Sequence, residues 1–335
     1  MPESEPFFWM GGKLAYDLQE MSSDPSSLDQ EGFWALSTTF EGEFTCARFG
    51  KVVAAPMPSA GKPWINLSQR WLTSLSRQNY LKYVGVIQEK IAEGWVYQVC
   101  ACRQLSTSLD GDSSLIALMG KMLRENPAPY SSFLRLPGLE IASASPELFF
   151  ERNNNEVKSG PIKGTKRLDS PEKKFNSKEE AENIMIVDLI RNDLSKICAP
   201  GSIHVPRLLV SEEHPGLAHL VSDVSGTLRE GVKWGAISEA LLPPGSVSGA
   251  PKSTAISTIE QLEGQSRGPY CGALGWVEGD FALLSEAIRI FWSTREGSIH
   301  FGTGAGITWG SEPLQEWDET QLKAERLLSI AGGEL

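Results

Sequence analysis

Histidine and cysteine are scarce in this sequence of 335 residues. It contains four histidines and five cysteines, and only Cys100 and Cys102 lie close together. The cysteines therefore have neither the spacing of a zinc site nor that of a disulfide framework, which indicates a reducing compartment. With so few histidines, a metal ion is expected on carboxylates, and this favours magnesium or manganese.

Long apolar runs and basic stretches are also missing. No run of about 18 apolar residues is present, so no membrane-spanning helix is predicted. The first residues, MPESEPFFW, are acidic and lack the basic segment of a secretory signal. The net charge of −11 argues against a nucleic-acid partner. We therefore expect a cytoplasmic protein that binds neither membranes nor nucleic acids, and an anionic ligand would need local cations or a metal.

The hydrophobic pattern predicts helices and strands without strict alternation. Ser177 and Glu180 are predicted to form a capping box at the start of a helix whose apolar stripe includes Ile184. Further helices are predicted over 75–94, 233–242, 253–263 and 313–331. A strand is predicted over 95–105, hairpins over 131–145 and 148–158, and a meander of three strands over 272–277, 281–294 and 298–304. No repeat or linker divides the chain, so we expect one α+β domain with a large mixed sheet.

Lys163 lies in a turn rich in glycine and proline. The segment GPIKGT places it between Pro161 and Gly164. The lysine is either a surface charge or an amine held in a fixed place for chemistry.

Two pairs of glutamates have helical spacing. Glu179 and Glu182 belong to one predicted helix, and Glu316 and Glu319 to the last one. Each pair shares a helix face. The pairs are either solvated surface charges or the ligands of one magnesium ion.

Other polar residues stand in apolar or glycine-rich surroundings. The loops PPGSVSGAPKS and HFGTGAGIT are either tight turns or cradles for an anion. Glu147, in SASPELFF, is either a charge at a strand edge or a general acid. His219 in LAHLVSD fits a core residue as well as a catalyst, whereas Arg289 in EAIRIFW would need an anion if it faces inward.

Ten segments occur together in the order found in one family. They are GWVYQV, SASPEL, GPIKGT, AENIMIVDLIRND, HLVSDVSG, PPGSVSGAPK, RGPYCGALGW, EAIRIFW, GTGAGI and ETQLKAE. With them the chain resembles the chorismate-utilising enzymes over about residues 80–328. The resemblance implies a four-layer α/β/β/α sandwich forming a single catalytic domain over 1–335, with a shortened N-terminal part over about 1–70.

Two positions separate the members of this family. Relatives that add water have a lysine base where this chain has Gln98, so the resemblance favours ammonia as the nucleophile. The anthranilate synthases have alanine in the turn that reads PIKGT here, whereas the aminodeoxychorismate synthase branch has lysine. The resemblance therefore implies amination of chorismate to 4-amino-4-deoxychorismate, in para-aminobenzoate and folate biosynthesis. The alternatives are an anthranilate synthase component I and a chorismate-binding protein without turnover.

The resemblance also assigns roles to individual residues. Lys163 is the covalent nucleophile, Glu147 the acid and His219 a neighbour of the 4-hydroxyl. A nearby magnesium ion, together with Lys166 and Arg167, helps Lys163 to lose its proton. Glu182 and Glu319 bind Mg²⁺, and Glu179 and Glu316 hold its waters. The implied substrate-binding residues are Gly164, Thr165, Ser246, Gly249, Tyr270, Arg289, Gly304, Gly306 and Lys323. The sequence contains no G-x-C-x-G elbow, so ammonia is expected from solution or from a glutamine amidotransferase subunit.

Overall fold

The structure is a computed structural model that describes residues 5–109, 114–167, 175–214, 217–294 and 297–335. Of Thr165, Arg167, His214 and Leu217 it describes only the backbone. Within these ranges, none of the helices is both long and apolar enough to cross a membrane.

Seven α-helices and a short 3-10 helix at Pro25–Asp29 are found in the described ranges. The α-helices are α1 (Arg77–Ala92), α2 (Leu115–Glu125), α3 (Ser177–Ser195), α4 (Trp234–Leu241), α5 (Gly245–Ser248), α6 (Lys252–Glu263) and α7 (Pro313–Ala331).

Twenty strands are found in the same ranges. They are β1 (Phe7–Met10), β2 (Lys13–Ser22), β3 (Phe33–Thr38), β4 (Phe44–Ala54), β5 (Leu67–Arg70), β6 (Leu72–Thr73), β7 (Gln98–Ser108), β8 (Tyr130–Leu136), β9 (Leu139–Ser145), β10 (Leu148–Asn153), β11 (Glu156–Gly160), β12 (Ile162–Arg167), β13 (His204–His214), β14 (Leu217–Thr227), β15 (Gly249–Ala250), β16 (Ala273–Glu278), β17 (Phe281–Glu286), β18 (Ile290–Thr294), β19 (Ser298–Ile307) and β20 (Gly332–Glu334).

Eighteen of the strands form one antiparallel sheet, and β5 and β20 form a separate parallel pair. Across the sheet the order is β13, β14, β11 with β12, β10, β17, β16, β3, β4, β2, β1, β8, β9, β18, β19, β7, and then β6 with β15. The sheet therefore runs from the region of Lys163 on β12 to the glycine-rich β19 without a break in hydrogen bonding.

Three apolar clusters give the layer order. Successive strand residues point to opposite faces, and on β8 Phe133 joins one cluster while Leu134 joins another. The Leu134 cluster is shared by both halves of the sheet and by α1 and α6. The other two clusters pack α2 and α7 on one half and α3 and α4 on the other. The arrangement is a sandwich with α, β, β and α layers.

The start of α3 differs from the prediction by one residue. The N-cap is Asn176, whose side chain accepts from the Glu179 N–H, while the Glu179 carboxylate accepts from the Asn176 N–H. The predicted box of Ser177 and Glu180 is therefore wrong, because an asparagine caps a helix as well as a serine does. The predicted apolar stripe is also shifted, since Ile184 is exposed and Ile186 is buried.

The predicted strand over 281–294 is two strands in different parts of the sheet. β17 pairs with β10 and β16, whereas β18 pairs with β9 and β19. The chain crosses from one half of the sandwich to the other at Ala287–Arg289, where Arg289 has a φ of +54°. The prediction placed Arg289 within a strand. It lies instead at the end of this crossover, three residues after Glu286, the last residue of β17. The pattern missed the crossover because apolar residues continue through it.

Candidate active site

Lys163 lies on β12, next to a bulge in the pairing with β14. The bulge is at Gly164, whose φ of +76° favours glycine. A Cβ at Gly164 would lie 2.9 Å from Phe175 Cδ1 and 3.3 Å from Glu179 Cδ. The Lys163 ammonium donates to the Ser246 carbonyl oxygen at 3.4 Å. The turn therefore directs the amine toward the loop before α6.

Carboxylates keep the Lys163 amine charged. Burial alone would lower the pKa of Lys163, but the neighbouring Glu147 carboxylate leads the charges that raise it above its ordinary value. The Lys166 ammonium pairs with Glu179 at 3.9 Å, and its expected help in removing the proton of Lys163 stays a prediction. The side chain of Arg167 lies outside the described residues.

Glu147 is only 4% exposed, at the turn between β9 and β10. Its carboxylate accepts from the Ile162 N–H at 3.2 Å, next to Lys163 in the chain. Burial raises the pKa of the Glu147 carboxyl, although Lys163 and the Ile162 N–H act in the opposite direction. A buried carboxyl with a raised pKa, next to an amine, is a suitable proton donor.

Glu286 is a second buried carboxyl that the sequence analysis missed. It is 3% exposed, its Oε1 accepts from the Ser246 hydroxyl, and its main chain N–H donates to the Glu147 carbonyl oxygen. Burial raises the pKa of Glu286 to about 8, and the Glu147 charge adds to the rise. The signal for this residue was present, because Glu286 stands in the apolar segment FALLSEAI just as Arg289 does.

The loop that carries Ser246 is fixed by close backbone contacts. Gly249 has a φ of +140°, and a Cβ there would overlap the Gln98 carbonyl oxygen. The Ser246 carbonyl oxygen also accepts from the Cys100 thiol at 3.4 Å. Ser246 therefore connects Lys163, Glu286 and β7.

Two glycines of β19 are required by the side chains that cover them. A Cβ at Gly306 would overlap the Gln98 amide, and one at Gly304 would lie 2.5 Å from Cys102 Sγ. The Gly304 carbonyl oxygen accepts from the Lys323 ammonium at 3.1 Å, which brings α7 to this strand. Both glycine positions of the predicted site therefore adjoin β7.

The remaining predicted residues lie at different depths. Burial lowers the pKa of Arg289, and the Glu147 charge opposes this shift. Tyr270 is buried, with its hydroxyl 3.9 Å from Cys102 Sγ. His219 is also buried, on β14 opposite Thr165. The side chain of Thr165 is outside the described residues.

Lys178 lies between the two predicted pairs of metal ligands. Its ammonium is 3.9 Å from Glu182 Oε1 and 3.8 Å from Glu316 Oε1. Burial raises the pKa of Glu182, and the charges of Glu319 and Glu316 raise it further. Oxygen ligands of this kind fit magnesium, and their shared ammonium shows that they attract one cation. As they stand, however, the described residues contain no group of three His, Cys, Asp or Glu close enough to hold a metal.

A cavity lies away from the predicted site residues. It has a volume of about 640 Å³ and is lined by the loop at Phe40–Gly42, by α4 and by α6. None of the predicted catalytic, substrate-binding or metal-binding residues lines it. Cavity size alone would therefore have pointed away from Lys163.

Comparison with known proteins gives a consistent family assignment. The profile of the family described as chorismate binding enzyme matches residues 29–329. This chain belongs to that family. The sequence-based resemblance to chorismate-utilising enzymes is thereby confirmed.

Relatives with two different names are equally similar to this family member. Anthranilate synthase component 1 of Saccharolobus solfataricus is 36% identical over 271 residues, covering 77% of this chain and 63% of that protein. Aminodeoxychorismate synthase component 1 of Salmonella typhimurium is 36% identical over 272 residues, covering 78% and 59%. The aligned part of the chain thus spans about three-fifths of the length of these relatives.

A solved structure shares the fold. Anthranilate synthase component I from Streptococcus pneumoniae matches with a TM-score of 0.78 at 21% identity, covering 97% of this chain and 90% of that one. The predicted sandwich fold is therefore confirmed.

Proposed function

We propose that this protein aminates chorismate at the 4-position, as an aminodeoxychorismate synthase component 1 does. The observation that carries the proposal is the partly buried Lys163 amine, which donates to the Ser246 carbonyl oxygen and whose pKa the Glu147 charge raises. Some of the similar relatives carry this name, and others are named as anthranilate synthases at the same identity. The choice between them therefore rests on Lys163 and on Gln98.

The first step of the proposed reaction uses a proton transfer within the site. Lys163 gives a proton to the Glu147 carboxylate, which leaves a neutral amine and a neutral acid. The charged pair is the resting state, since the pKa of Lys163 is raised, and burial reduces the cost of forming the neutral pair because it penalises both charged forms. The amine then attacks the 2-position of chorismate, the double bond shifts, and the bond from C4 to the hydroxyl breaks. Glu147 protonates the departing hydroxyl, which leaves as water.

The second step replaces the lysine with ammonia. Ammonia forms a bond to C4, the double bond shifts back, and the bond from C2 to the Lys163 nitrogen breaks. The sum of the two steps is chorismate plus ammonia giving 4-amino-4-deoxychorismate plus water. We propose that a glutamine amidotransferase subunit supplies the ammonia, in keeping with the word component in the relatives' names.

We propose that two cations of the predicted site bind the carboxylates of chorismate. We assign Arg289 and Lys323 to the enolpyruvyl side, together with Tyr270, Gly304 and Gly306. The ring carboxylate is assigned to Gly164, Thr165, Ser246 and Gly249, and His219 to the neighbourhood of the 4-hydroxyl. This set supplies the local positive charge that a protein of net charge −11 needs in order to hold a dianion.

We propose that Mg²⁺ binds Glu182 and Glu319, with Glu179 and Glu316 holding its waters. Lys178 would move away from Glu182 and Glu316 as the metal binds, because both cations use the same oxygens. When bound, Mg²⁺ supplies charge neutralisation for a carboxylate of the substrate.

The test is a product assay with chorismate, magnesium chloride and ammonium chloride, followed by chromatographic separation. We expect 4-amino-4-deoxychorismate from the wild type and a loss on the order of 10³-fold or more in Lys163→Ala, since a nucleophile is removed. Intact mass spectrometry without ammonium should show chorismate minus water attached to the wild type and absent from Lys163→Ala. Lys158→Ala removes a partly exposed lysine of the same segment, whose partner Asp223 also pairs with Arg207; this matched control should behave as the wild type.

Other products would identify the alternatives. Fluorescent anthranilate with pyruvate release would assign the protein to the anthranilate branch. Binding of chorismate without any product would make it a binding protein. Either result would overturn the proposal.

A further inference from the structure

A small cavity lies beside Glu286. It has a volume of about 20 Å³ and is bounded by β10, β11, α3, α4 and the loop at Pro244–Ser246. A cavity of roughly 10–15 Å³ is enough for one molecule of the size of water. The cavity therefore has room for a single small molecule and excludes larger ligands.

The polar lining of the cavity is acidic. Its charged residues are Glu286 and Asp193, and Ser159 and Ser246 add hydroxyl groups, while the described lining contains no lysine, arginine or histidine. Asp193 already pairs with Lys252 at 2.5 Å and with Lys196 at 2.9 Å. Among the described lining residues, Glu286 is thus the carboxyl group without an ion pair, and a cation in the cavity would favour its ionised form.

One oxygen of Glu286 has no protein donor. Glu286 is 3% exposed, and its Oε2 makes no hydrogen bond within the described part of the chain, whereas Oε1 accepts from the Ser246 hydroxyl. An unpaired buried carboxylate oxygen is costly. A small cation with several N–H donors would donate a hydrogen bond to this oxygen and neutralise the charge of the acidic lining.

The cavity adjoins the reacting amine through one residue. The Ser246 hydroxyl donates to Glu286, and the Ser246 carbonyl oxygen accepts from Lys163 at 3.4 Å. Glu147 and Lys163 also act electrostatically on Glu286. A molecule bound beside Glu286 is therefore close to the place where the proposed reaction consumes ammonia.

We propose that this cavity binds one ammonium ion and that Glu286 accepts its proton, releasing ammonia beside the Lys163 adduct. The proposal rests on the proposed function. Ammonium gives a proton to the Glu286 carboxylate, and the ammonia lone pair forms the bond to C4. The proton of Glu286 passes to the lysine nitrogen as its bond to C2 breaks. Lys163 is released as an ammonium ion, the state in which it began, and the product leaves with its new amino group protonated.

The acidity of Glu286 suits this role. Burial raises the pKa of Glu286 to about 8, with the Glu147 charge adding to it and the Ser246 hydroxyl and Lys163 opposing it. A base whose pKa lies near the working pH accepts and returns a proton efficiently. An ordinary exposed glutamate would be too weak a base toward ammonium.

The test uses the full chain with ammonium chloride as the nitrogen source. Glu286→Gln keeps the size of the side chain and removes the base, while Ser159→Val fills the cavity without changing Glu286. We expect KM for ammonium to rise about 10- to 100-fold in both variants. A rise of this size corresponds to the loss of one hydrogen bond to a charged group. The KM for chorismate and the extent of the Lys163 adduct formed without ammonium should stay at wild-type values. Glu260→Gln, at an exposed acidic position, is the control.

A binding experiment separates the two proposals. Thermal unfolding is compared in ammonium chloride and choline chloride at equal ionic strength, with no chorismate present. We expect ammonium to stabilise the wild type and the Glu260→Gln control, and to stabilise neither Glu286→Gln nor Ser159→Val. An unchanged KM for ammonium in both cavity variants, with a normal adduct, would overturn the ammonium site and leave the proposed function standing. If the wild type forms neither adduct nor aminated product, the proposed function fails, and the thermal comparison alone decides whether the cavity binds ammonium.

Discussion

Arg267 connects the loop at Ser246 to β7, and its removal gives a demanding test of the structure. The side chain is 1% exposed, and its guanidinium donates twice to the Glu263 carboxylate, with the Nε contact at 2.8 Å. It also donates to the carbonyl oxygens of Val247 at 2.9 Å and Cys100 at 2.7 Å. The perturbation is Arg267→Met, which keeps an unbranched apolar stem and removes every donor.

The expected loss follows from what remains behind. Glu263 would keep the Tyr83 hydroxyl at 3.1 Å and the Cys102 N–H at 2.9 Å but would lose its cation. Breaking a buried ion pair on one side costs about 3–5 kcal/mol, and each buried carbonyl left without a donor adds to this by about 1–3 kcal/mol before relaxation. We therefore expect the free energy of unfolding to fall by about 4 kcal/mol or more. The double variant Arg267→Met/Glu263→Gln should lose less than the sum of the two single variants, because it leaves no unpaired charge.

The assay is urea unfolding followed by circular dichroism and tryptophan fluorescence. Arg48→Met is the matched control, since the Arg48 and Glu20 side chains form a pair at 3.2 Å and are 38% and 39% exposed. We expect the control to lose less than about 1 kcal/mol, as exposed pairs do. A similarly small loss in Arg267→Met, with an additive double variant, would refute the reasoning, because it would mean that the buried pair is no stronger than a surface one.

Three further predictions concern the site. The native pKa of Glu286 is raised from its ordinary 4.5 to about 8. Between these pH values the native state therefore holds a proton that the unfolded chain has lost, so the free energy of unfolding should fall as pH rises, by at most about 1.4 kcal/mol per pH unit. A Glu286→Gln variant, followed by thermal unfolding, should lack this pH dependence. An equal pH dependence in the variant would contradict the assignment. Lys178→Met should tighten binding of Mn²⁺ by about tenfold, measured by electron paramagnetic resonance, because it removes a competing ammonium worth about 1 kcal/mol; an unchanged affinity would exclude that competition. Gly249→Ala, at φ +140° and against the Gln98 carbonyl oxygen, should cost more than about 1–3 kcal/mol in urea unfolding, and wild-type stability would show that the loop is less constrained than it appears in the fold.

Local sequence patterns predicted most of the helices and strands but not how the chain connects them in the sheet. The last helix was predicted over 313–331 and is found at Pro313–Ala331, because a proline at its start and two glycines at its end mark both limits. The segment 281–294 was predicted as one strand, because its apolar residues hide the crossover at Ala287–Arg289. Hydrophobic periodicity records burial, and both halves of this sandwich bury their strands, so the pattern has no feature at the point where the chain changes halves.

The residues of the candidate site also differ in how far the sequence could predict them. Lys163, Glu147 and Arg289 could be selected from the sequence, because each is a charged residue in a turn or in an apolar segment. Glu286 and Ser246 could not be paired in advance, since 40 positions separate them and their contact exists only after the crossover is formed. A buried charge in an apolar segment is a usable signal, but its partner is set by tertiary structure.

For the mechanism, the largest difference between the sequence-based expectation and the structure concerns the charge state of Lys163. The sequence analysis expected neighbouring cations to make the amine neutral, whereas the structure surrounds it with carboxylates that raise its pKa. The two arrangements have different consequences. Cations would yield a neutral amine with no proton stored nearby. A carboxylate partner stores the proton that the amine loses, and the departing hydroxyl needs that proton in the same step. A proton that moves from Lys163 to Glu147 thus makes the nucleophile and the acid together; the raised pKa of Glu147 reduces the cost of this transfer, and the raised pKa of Lys163 adds to it.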